Sequence, residues 1–140
     1  FSPDSSLNLD VQNDDNNNYS IDFRLKNGRT SFLFTGDMEE PLENALVHKY
    51  CSPTSSPLFK EGIEGRSCPT LQADILKIGH HGSDSSSGEE FLNLVHPQTA
   101  IISVGKNKYG HPSLRVLKKL ERAGAESWRT DEMGDIVKTK

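Results

Sequence analysis

The chain has 140 residues, of which 33% are hydrophobic and 26% are charged, a composition that suits one globular domain with a modest core. Its formal net charge is −4, which excludes a uniformly basic surface that would hold nucleic acid through counterion release alone. A phosphate-bearing substrate would therefore require bound cations or a local positive pocket. No run approaches the ~20 apolar residues of a membrane-spanning helix. The chain opens at Phe1 without Met, which is typical of an excised domain or a mature fragment.

A β-hairpin is predicted after residues 1–18, which form an irregular polar lead-in. Four apolar residues alternate with polar ones in its first strand: Tyr19, Ile21, Phe23 and Leu25. Such alternation is typical of a β-strand. The Asn27–Gly28 dipeptide then predicts a tight turn between two strands. The second strand, Ser31–Thr35, is almost entirely apolar, which indicates burial on both faces.

Three helices are predicted further along the chain. The first covers residues 39–50, and the second covers residues 89–95, with a capping box formed by Ser87 and Glu90. The third starts at Pro112, ends at Gly124 and buries a leucine stripe on one face. This stripe consists of Leu114, Leu117 and Leu120.

Strands are predicted between these helices and after the last one. Residues 73–79 and 99–105 are apolar runs of the kind found in buried strands. Residues 125–130 and 135–140 form two final strands, separated by a turn at Asp131–Gly134. The resulting order, ββαβαβαββ, predicts a layered α/β fold.

Two cysteines, Cys51 and Cys68, bracket a segment rich in Ser, Pro and Gly that reads as a surface insertion over residues 51–68. A disulfide that closes this insertion and a pair of free thiols are both consistent with the spacing. Zinc held by these two residues alone is disfavoured, because a structural zinc site takes four ligands. A disulfide would indicate an oxidising, extracytoplasmic setting.

Polar clusters follow three of the predicted apolar strands, at Thr35–Asp37, His80–Ser83 and Asn107–Pro112. Each cluster alone has an ordinary explanation: a turn with a capping Asp, a surface His pair, or a cap before a helix. Ligands of open α/β sheets collect outside the carboxyl ends of the strands, so the three clusters together predict one convergent site. A nearby basic group is either a solvated helix face or a phosphate contact: Lys106, Lys108, Arg115, Lys118 and Lys119.

The motifs TGD, LKIGHHGS, ISVGKNKYGHP and RTDEMGDI, in this order, resemble the C-terminal part of a metallo-β-lactamase-like domain. The similar domain is that of competence-type DNA-internalisation proteins, the ComEC family, and their soluble secreted relatives. The resemblance runs from about Asn17 to the end of the chain. It implies an αββα sandwich of two halves with metals at one edge, and residues 19–140 would supply the C-terminal half with its insertion.

The family's domain begins with an HxHxDH motif and a further His that supply most metal ligands, and this sequence has neither. The resemblance implies that Asp37 is the carboxylate that bridges two metals. It implies that one of His80 and His81 is the late His ligand, with His80 favoured. His111 matches the YGHP histidine, which would face the substrate or the leaving group, so Asp37 and His111 are the catalytic candidates.

Further roles in substrate binding are implied for four residues: Lys77, Ser83, Asn107 and Tyr109. Lys77 would pair with a phosphate or with Asp37, while Asn107 and Tyr109 would shape the pocket. Ser83 and Thr35 would also orient metal ligands.

The function implied is that of a metal-dependent phosphodiesterase or nuclease in an extracytoplasmic or membrane-associated parent protein, acting on DNA or another phosphodiester. Its complete domain would hold two Zn or Mn ions, which the present chain alone would bind weakly or not at all. One alternative is a catalytically incomplete fragment that acts as a binding or structural module. Another is a hydrolase of the same fold for phosphocholine, lactone or β-lactam substrates.

Half of a sandwich would leave one sheet face uncovered, so the missing N-terminal half or a second copy of the chain is an expected partner.

Overall fold

The computed structural model describes residues 20–51 and 68–137. The predicted lead-in, most of the predicted insertion and the last three residues lie outside these ranges, so the predicted division of the chain stays a prediction. The elements are β1 (Phe23–Asn27), β2 (Thr30–Phe34), α1 (Glu40–Cys51), β3 (Ile75–Lys77), α2 (Glu89–Val95), β4 (Thr99–Ile102), α3 (Leu114–Arg122), β5 (Glu126–Arg129) and α4 (Thr130–Met133), with a 3-10 turn at Gly79–Gly82.

The five strands form one sheet in the order β1-β2-β3-β4-β5. β1 and β2 are antiparallel, as the predicted hairpin requires, and the other neighbours are parallel. Asn27 pairs with Thr30, so the two turn residues are Gly28 and Arg29 rather than Asn27 and Gly28. Gly28 has a φ of 61°, a backbone conformation that favours glycine.

The core lies on one face of this sheet. Leu33, Leu76 and Ile102 are buried there against side chains of α1, α2 and α3. Burial in β2 alternates, with Leu33 buried and its neighbours Phe32 and Phe34 only partly buried. The prediction that this strand is buried on both faces was therefore wrong, because helices cover a single face of the sheet.

The other face carries apolar side chains that remain accessible. Phe23 and Leu25 are 45% and 48% exposed, and the rings of Phe23 and Phe34 stack with centroids 4.6 Å apart. Every residue of β1 is exposed. The exposed part of this face, at β1 and β2, is what a half-sandwich would show, whereas Ile75, which pairs with Phe32, is buried.

The start of α2 differs from the predicted capping box. The N-cap residue is Gly88 and has no side-chain cap, while Ser87 is buried with a φ of 59°. The capping carboxylate is instead that of Glu43 in α1, which accepts hydrogen bonds from the backbone N–H groups of Ser87 and Gly88, both at 2.7 Å. A residue distant in sequence thus satisfies the free N–H groups that precede the helix.

The buried stripe of α3 also differs from the prediction. Leu114 is 76% exposed, whereas Val116 and Leu120 are fully buried and Leu117 is partly buried against the core. Ser113 is the N-cap, and its side chain accepts a hydrogen bond from the N–H of Val116. The helix begins at Leu114, two residues after Pro112, and its inward face carries Val116 and Leu120 rather than Leu114.

The C-terminal region forms one strand and a short helix. β5 agrees with the first predicted terminal strand, but α4 replaces the predicted turn, and Asp135–Val137 form no strand. Thr130 connects this region to the segment that follows β4. Its hydroxyl accepts a hydrogen bond from the Val104 N–H at 2.8 Å and lies 2.7 Å from the Val104 carbonyl. That attachment turns the chain away from the path a further strand would take.

The two cysteines form a disulfide, Cys51–Cys68, so the first of the two alternatives for them is confirmed. It links the end of α1 to the segment before β3 and spans 17 residues of sequence. Within residues 20–51 and 68–137, no helix has the length and apolar character needed to cross a bilayer.

Candidate functional site

The ends of three neighbouring parallel strands bring the sequence-predicted site residues together. Asp37 follows β2, the two histidines follow β3, and His111 lies in the loop after β4. Nε2 of His81 is 3.6 Å from Oδ1 of Asp37, and the ring centroids of His80 and His111 are 5.6 Å apart. The carboxyl ends of β2, β3 and β4 meet at one edge of the sheet, so sequence-distant side chains converge there.

His81 is oriented by the backbone beside it. Its Nδ1 lies 2.6 Å from the carbonyl oxygen of Ser103, and since a carbonyl can only accept, Nδ1 carries the proton. In the neutral imidazole, Nε2 is then unprotonated and faces the Asp37 carboxylate. This arrangement leaves a nitrogen and a carboxylate oxygen suited to share a cation.

His80 is held by a carboxylate that the sequence did not single out. Nδ1 of His80 is 2.8 Å from Oε1 of Glu39, and the hydroxyl of Ser85 donates to the same oxygen at 2.8 Å. Glu39 is only 9% exposed. A carboxylate on one ring nitrogen is the usual support of a metal-binding histidine. The one sequence signal for Glu39 was its place two residues after Asp37.

Both histidines lie in left-handed backbone conformations, with φ values of 44° for His80 and 54° for His81. Such conformations cost about 1–3 kcal/mol each and cluster at functional sites. The flanking glycines permit the turn: a Cβ on Gly79 would stand 2.5 Å from the Met38 carbonyl oxygen, and one on Gly82 would stand 2.7 Å from Pro112. The strained turn is therefore built into the packing around it.

Asn107 shapes the loop that carries His111. Its Oδ1 accepts from the N–H groups of Tyr109 and His111 at 3.0 and 3.1 Å, and its Nδ2 donates to the carbonyls of Gly105 and His111 at 2.9 and 2.8 Å. Tyr109 is 71% exposed and stacks on the His111 ring with centroids 5.8 Å apart. Burial, followed by the neighbouring imidazoles of His80 and His81, lowers the pKa of His111.

Lys77 and Ser83 line the same end of the sheet in different ways. The ammonium group of Lys77 donates to the Gly36 carbonyl at 3.2 Å. Burial lowers the pKa of Lys77, and the charge of Asp37 opposes that shift. Ser83 is buried, and its N–H donates to the His80 carbonyl at 2.9 Å. Ser83 thus closes the histidine turn, while Lys77 supports the loop that presents Asp37.

Two members of the basic group near this edge form ion pairs with carboxylates. Lys119 is buried and lies 2.6 Å from a carboxylate oxygen of Glu40, and Arg115 is 3.5 Å from Asp84. Lys106 lines a cavity of about 220 Å³ together with His81, Asn107, Tyr109 and His111. This cavity adjoins both the histidine turn and the YGHP loop.

The donor set is incomplete as a metal site. Across residues 20–51 and 68–137, no three His, Cys, Asp or Glu side chains are arranged to hold a metal ion. Asp37 and His81 fit two positions of such a site by donor type and by the free Nε2, and His80 stands beside them. These residues can hold part of a divalent cation's coordination shell, which takes four or more ligands.

Comparisons with known proteins agree with the sequence resemblance. Residues 12–106 match the family described as the metallo-beta-lactamase superfamily. Over 121 residues the chain is 38% identical to ComE operon protein 3 of Bacillus subtilis (strain 168), which covers 86% of this chain and 13% of that protein. Over 126 residues it is 34% identical to competence protein ComA of Neisseria gonorrhoeae, which covers 89% and 16%.

A third relative is recombination protein 2 of Haemophilus influenzae, 32% identical over 122 residues that cover 86% of this chain and 13% of that protein. The chain therefore spans between 13% and 16% of the length of these three curated relatives.

Proposed function

Since this chain belongs to the metallo-beta-lactamase superfamily and is related to competence proteins, we propose that it forms part of a metal-dependent phosphodiesterase of the nuclease type that acts in DNA uptake. The observation that carries this proposal is the oriented pair of Asp37 and His81, 3.6 Å apart at the carboxyl edge of the sheet. Carboxylate and imidazole together suit zinc or manganese.

In the proposed site, Asp37 and one or both histidines hold a pair of divalent cations, and the other ligands come from an HxHxDH segment that this sequence does not contain. Bound cations of this kind supply hydroxide at neutral pH and neutralise charge on a phosphoryl group. The contact with Asp37 makes His81 the stronger ligand candidate, although His80 was favoured from sequence. Glu39 keeps the His80 ring in place through Nδ1, which directs Nε2 away from that carboxylate.

His111 is proposed to donate a proton to the leaving oxygen. Its pKa is lowered by burial and by the imidazoles beside it, which favours the neutral ring in the free site. A bound phosphodiester brings negative charge and favours the protonated ring. Asn107 positions this ring through the backbone on both sides of it, and Tyr109 shields one of its faces.

The proposed partner of the open sheet face is the N-terminal half of the same domain. Phe23, Leu25 and Phe34 would pack against its sheet, because an exposed apolar patch of this kind marks a binding surface. The disulfide supports an extracytoplasmic location for the domain, since such bonds persist in oxidising compartments. Self-association through the same face is the competing use of the patch.

One observation favours a second candidate, a binding or structural module: the absence of a three-ligand cluster in the described part of the chain. The two functions differ in metal affinity. Calorimetric titration with zinc and with manganese should show weak binding to this chain alone and tight binding to a protein that also contains the HxHxDH half. Weak binding by both proteins would favour the module.

Activity assays on the two-half protein test the chemistry. We expect hydrolysis of DNA and of bis-nitrophenyl phosphate, with no comparable activity on phosphocholine, lactone or β-lactam substrates. Asp37→Asn and His81→Ala should each lower the rate by at least about 100-fold, the scale of lost metal affinity or activity at such sites. His48→Ala, at an exposed position of α1, is the matched control and should retain the rate. Turnover of a lactone or β-lactam instead of the phosphodiesters would overturn the substrate assignment.

A further inference from the structure

A second polar cavity lies at the opposite edge of the sheet from the candidate site, where the parallel strands begin. It has a volume of about 510 Å³ and is lined by three permanently charged side chains: Arg24, Lys26 and Arg29. The first two belong to β1, and the third lies in the hairpin turn. The chain as a whole carries a net charge of −4, so this concentration of positive charge departs from its average. We name it the hairpin pocket.

The positive charge of the hairpin pocket is not neutralised by neighbouring acids. Among the residues that the structure describes, no carboxylate comes within ion-pair distance of these three cations. Asp74 also lines the cavity, but its Oδ2 accepts hydrogen bonds from the N–H and the hydroxyl of Ser31 at 2.7 and 2.8 Å. The carboxylate of Asp74 is thus hydrogen-bonded to β2, and the three cations of the pocket outnumber this one acid.

One of the cations is already oriented. Nε of Arg24 donates to the carbonyl of Gln72 at 3.1 Å, which fixes the plane of the guanidinium group and leaves its two terminal amino groups for a ligand. A planar guanidinium matches the geometry of phosphate oxygens, and a lysine adds a mobile point charge. His96 stands exposed on the same cavity. Together these groups have the chemistry of a phosphate-binding pocket.

We infer that the hairpin pocket binds backbone phosphates of a nucleic acid strand, remote from the catalytic edge. A membrane surface fits less well, because membrane-binding surfaces insert large apolar side chains. The apolar residues of this cavity are Pro69, Ala73 and Val95, and the last two are buried.

The identity of the ligand rests on the proposed function, because a phosphodiesterase must hold its polymer substrate. From Asp74 to Gly79 the chain advances five residues, or about 16 Å in extended conformation. At ~3.4 Å per nucleotide of a B-form strand, this distance equals about five nucleotides. A strand of moderate length can thus contact the hairpin pocket and the catalytic edge together.

The test measures binding without metal, so that it can fail independently of hydrolysis. A fluorescently labelled oligothymidylate of about 20 nucleotides is titrated in EDTA over a range of NaCl concentrations with wild type and with the triple variant R24Q/K26Q/R29Q. The control is K49Q/R122Q, which removes exposed cations of α1 and α3 that lie outside the hairpin pocket and outside the basic group near the candidate site. Thermal unfolding of each variant checks the fold, and Lys26→Gln alone serves if the triple variant is unstable.

Each phosphate contact contributes about 0.7 to the slope of log K against log salt for a single strand. The hairpin triple variant should therefore lose about 2 units of slope and at least about tenfold in affinity at low salt, while the K49Q/R122Q control changes little. Lys26→Gln alone should lose about 0.7. A loss in the K49Q/R122Q control as large as that in the hairpin variant, or an unchanged slope in the hairpin variant, would overturn the inference.

Two further probes distinguish the sources of phosphate. Inorganic phosphate is titrated while the amide signals of His96 and Gln98 are followed by NMR, and vesicles containing phosphatidylserine are tested by co-sedimentation. Competition between inorganic phosphate and the oligonucleotide at these signals supports the pocket. The nucleic acid assignment is refuted if the hairpin variant loses binding to phosphate or to vesicles while its affinity for the oligonucleotide stays that of wild type. Because the titration is made in EDTA, the hairpin variant can lose slope whether or not the two-half protein hydrolyses DNA, which separates this result from any failure of the catalytic proposal.

Discussion

Glu43→Gln should make the free energy of unfolding of this protein less dependent on pH. Glu43 is 1% exposed, and its carboxylate accepts two backbone N–H groups at 2.7 Å at the start of α2. Burial raises its pKa to about 7 from an ordinary value of 4.5, although the bonds from Gly88 and Ser87 act in the opposite direction. Two observations therefore disagree: the short hydrogen bonds favour the ionised form, whereas burial favours the neutral one. We take burial as the larger effect, because the carboxylate is almost wholly removed from water.

The magnitude follows from the linkage between proton binding and folding. A rise in pKa from 4.5 to about 7 corresponds to about 3 kcal/mol, at about 1.4 kcal/mol per pKa unit. A carboxyl group whose pKa is raised in the folded state contributes its full stabilisation below the unfolded value. That contribution is lost as the pH rises through the folded value. Gln does not titrate, so the advantage of wild type over Glu43→Gln should shrink by about 3 kcal/mol between about pH 4.5 and about pH 8.

Urea denaturation of both proteins across this pH range measures the difference in the free energy of unfolding. Comparing the two cancels Asp22, whose pKa is also raised to about 7 by burial and which both proteins retain. A difference that stays constant, or that widens as the pH rises, would refute the reasoning. It would mean that the two N–H donors keep the carboxylate ionised in the folded protein.

Four further variants test the packing, the capping and the disulfide by thermal and urea unfolding. Leu92→Ala should lower the free energy of unfolding by about 2–5 kcal/mol, because it leaves a cavity beneath α2, whereas Leu114→Ala should change it by less than about 0.5 kcal/mol. Ser113→Ala should cost about 1 kcal/mol, because it removes the N-cap of α3. Replacing both Cys51 and Cys68 by Ser should cost about 3 kcal/mol, from the loop entropy of a closure of 17 residues.

Different results would locate the error in each case. Equal losses of unfolding free energy for Leu92→Ala and Leu114→Ala would mean that Leu114 is buried, as the sequence predicted for the stripe of α3. An unaffected Ser113→Ala protein would mean that water caps α3 equally well. No loss of stability in the double Cys variant would indicate a denatured state that is already compact around the insertion.

Local signals in the sequence predicted much of the scaffold. Period-two alternation and the Asn27–Gly28 turn identified the hairpin, and apolar runs between helical segments identified the parallel strands. These features depend on neighbouring residues alone, so they can be read without a partner. The three polar clusters could also be placed at one edge, because parallel strands in an α/β sheet end on the same side. Asp37, His111 and the pair His80–His81 were therefore identified before their distances were known, although the sequence favoured His80 of the two as the ligand.

The remaining features depend on contacts between distant parts of the chain. Whether β2 is buried on one face or two depends on which side the helices cross, and the inward face of α3 depends on where its first turn docks. Glu39 supports His80 from 41 residues away, and Glu43 caps a helix 44 residues further along the chain. No periodicity encodes such pairings, because a buried carboxylate is stable only where folding supplies its donors. Chemical identity could thus be inferred from residue order, whereas ring orientation, capping and burial required the folded arrangement.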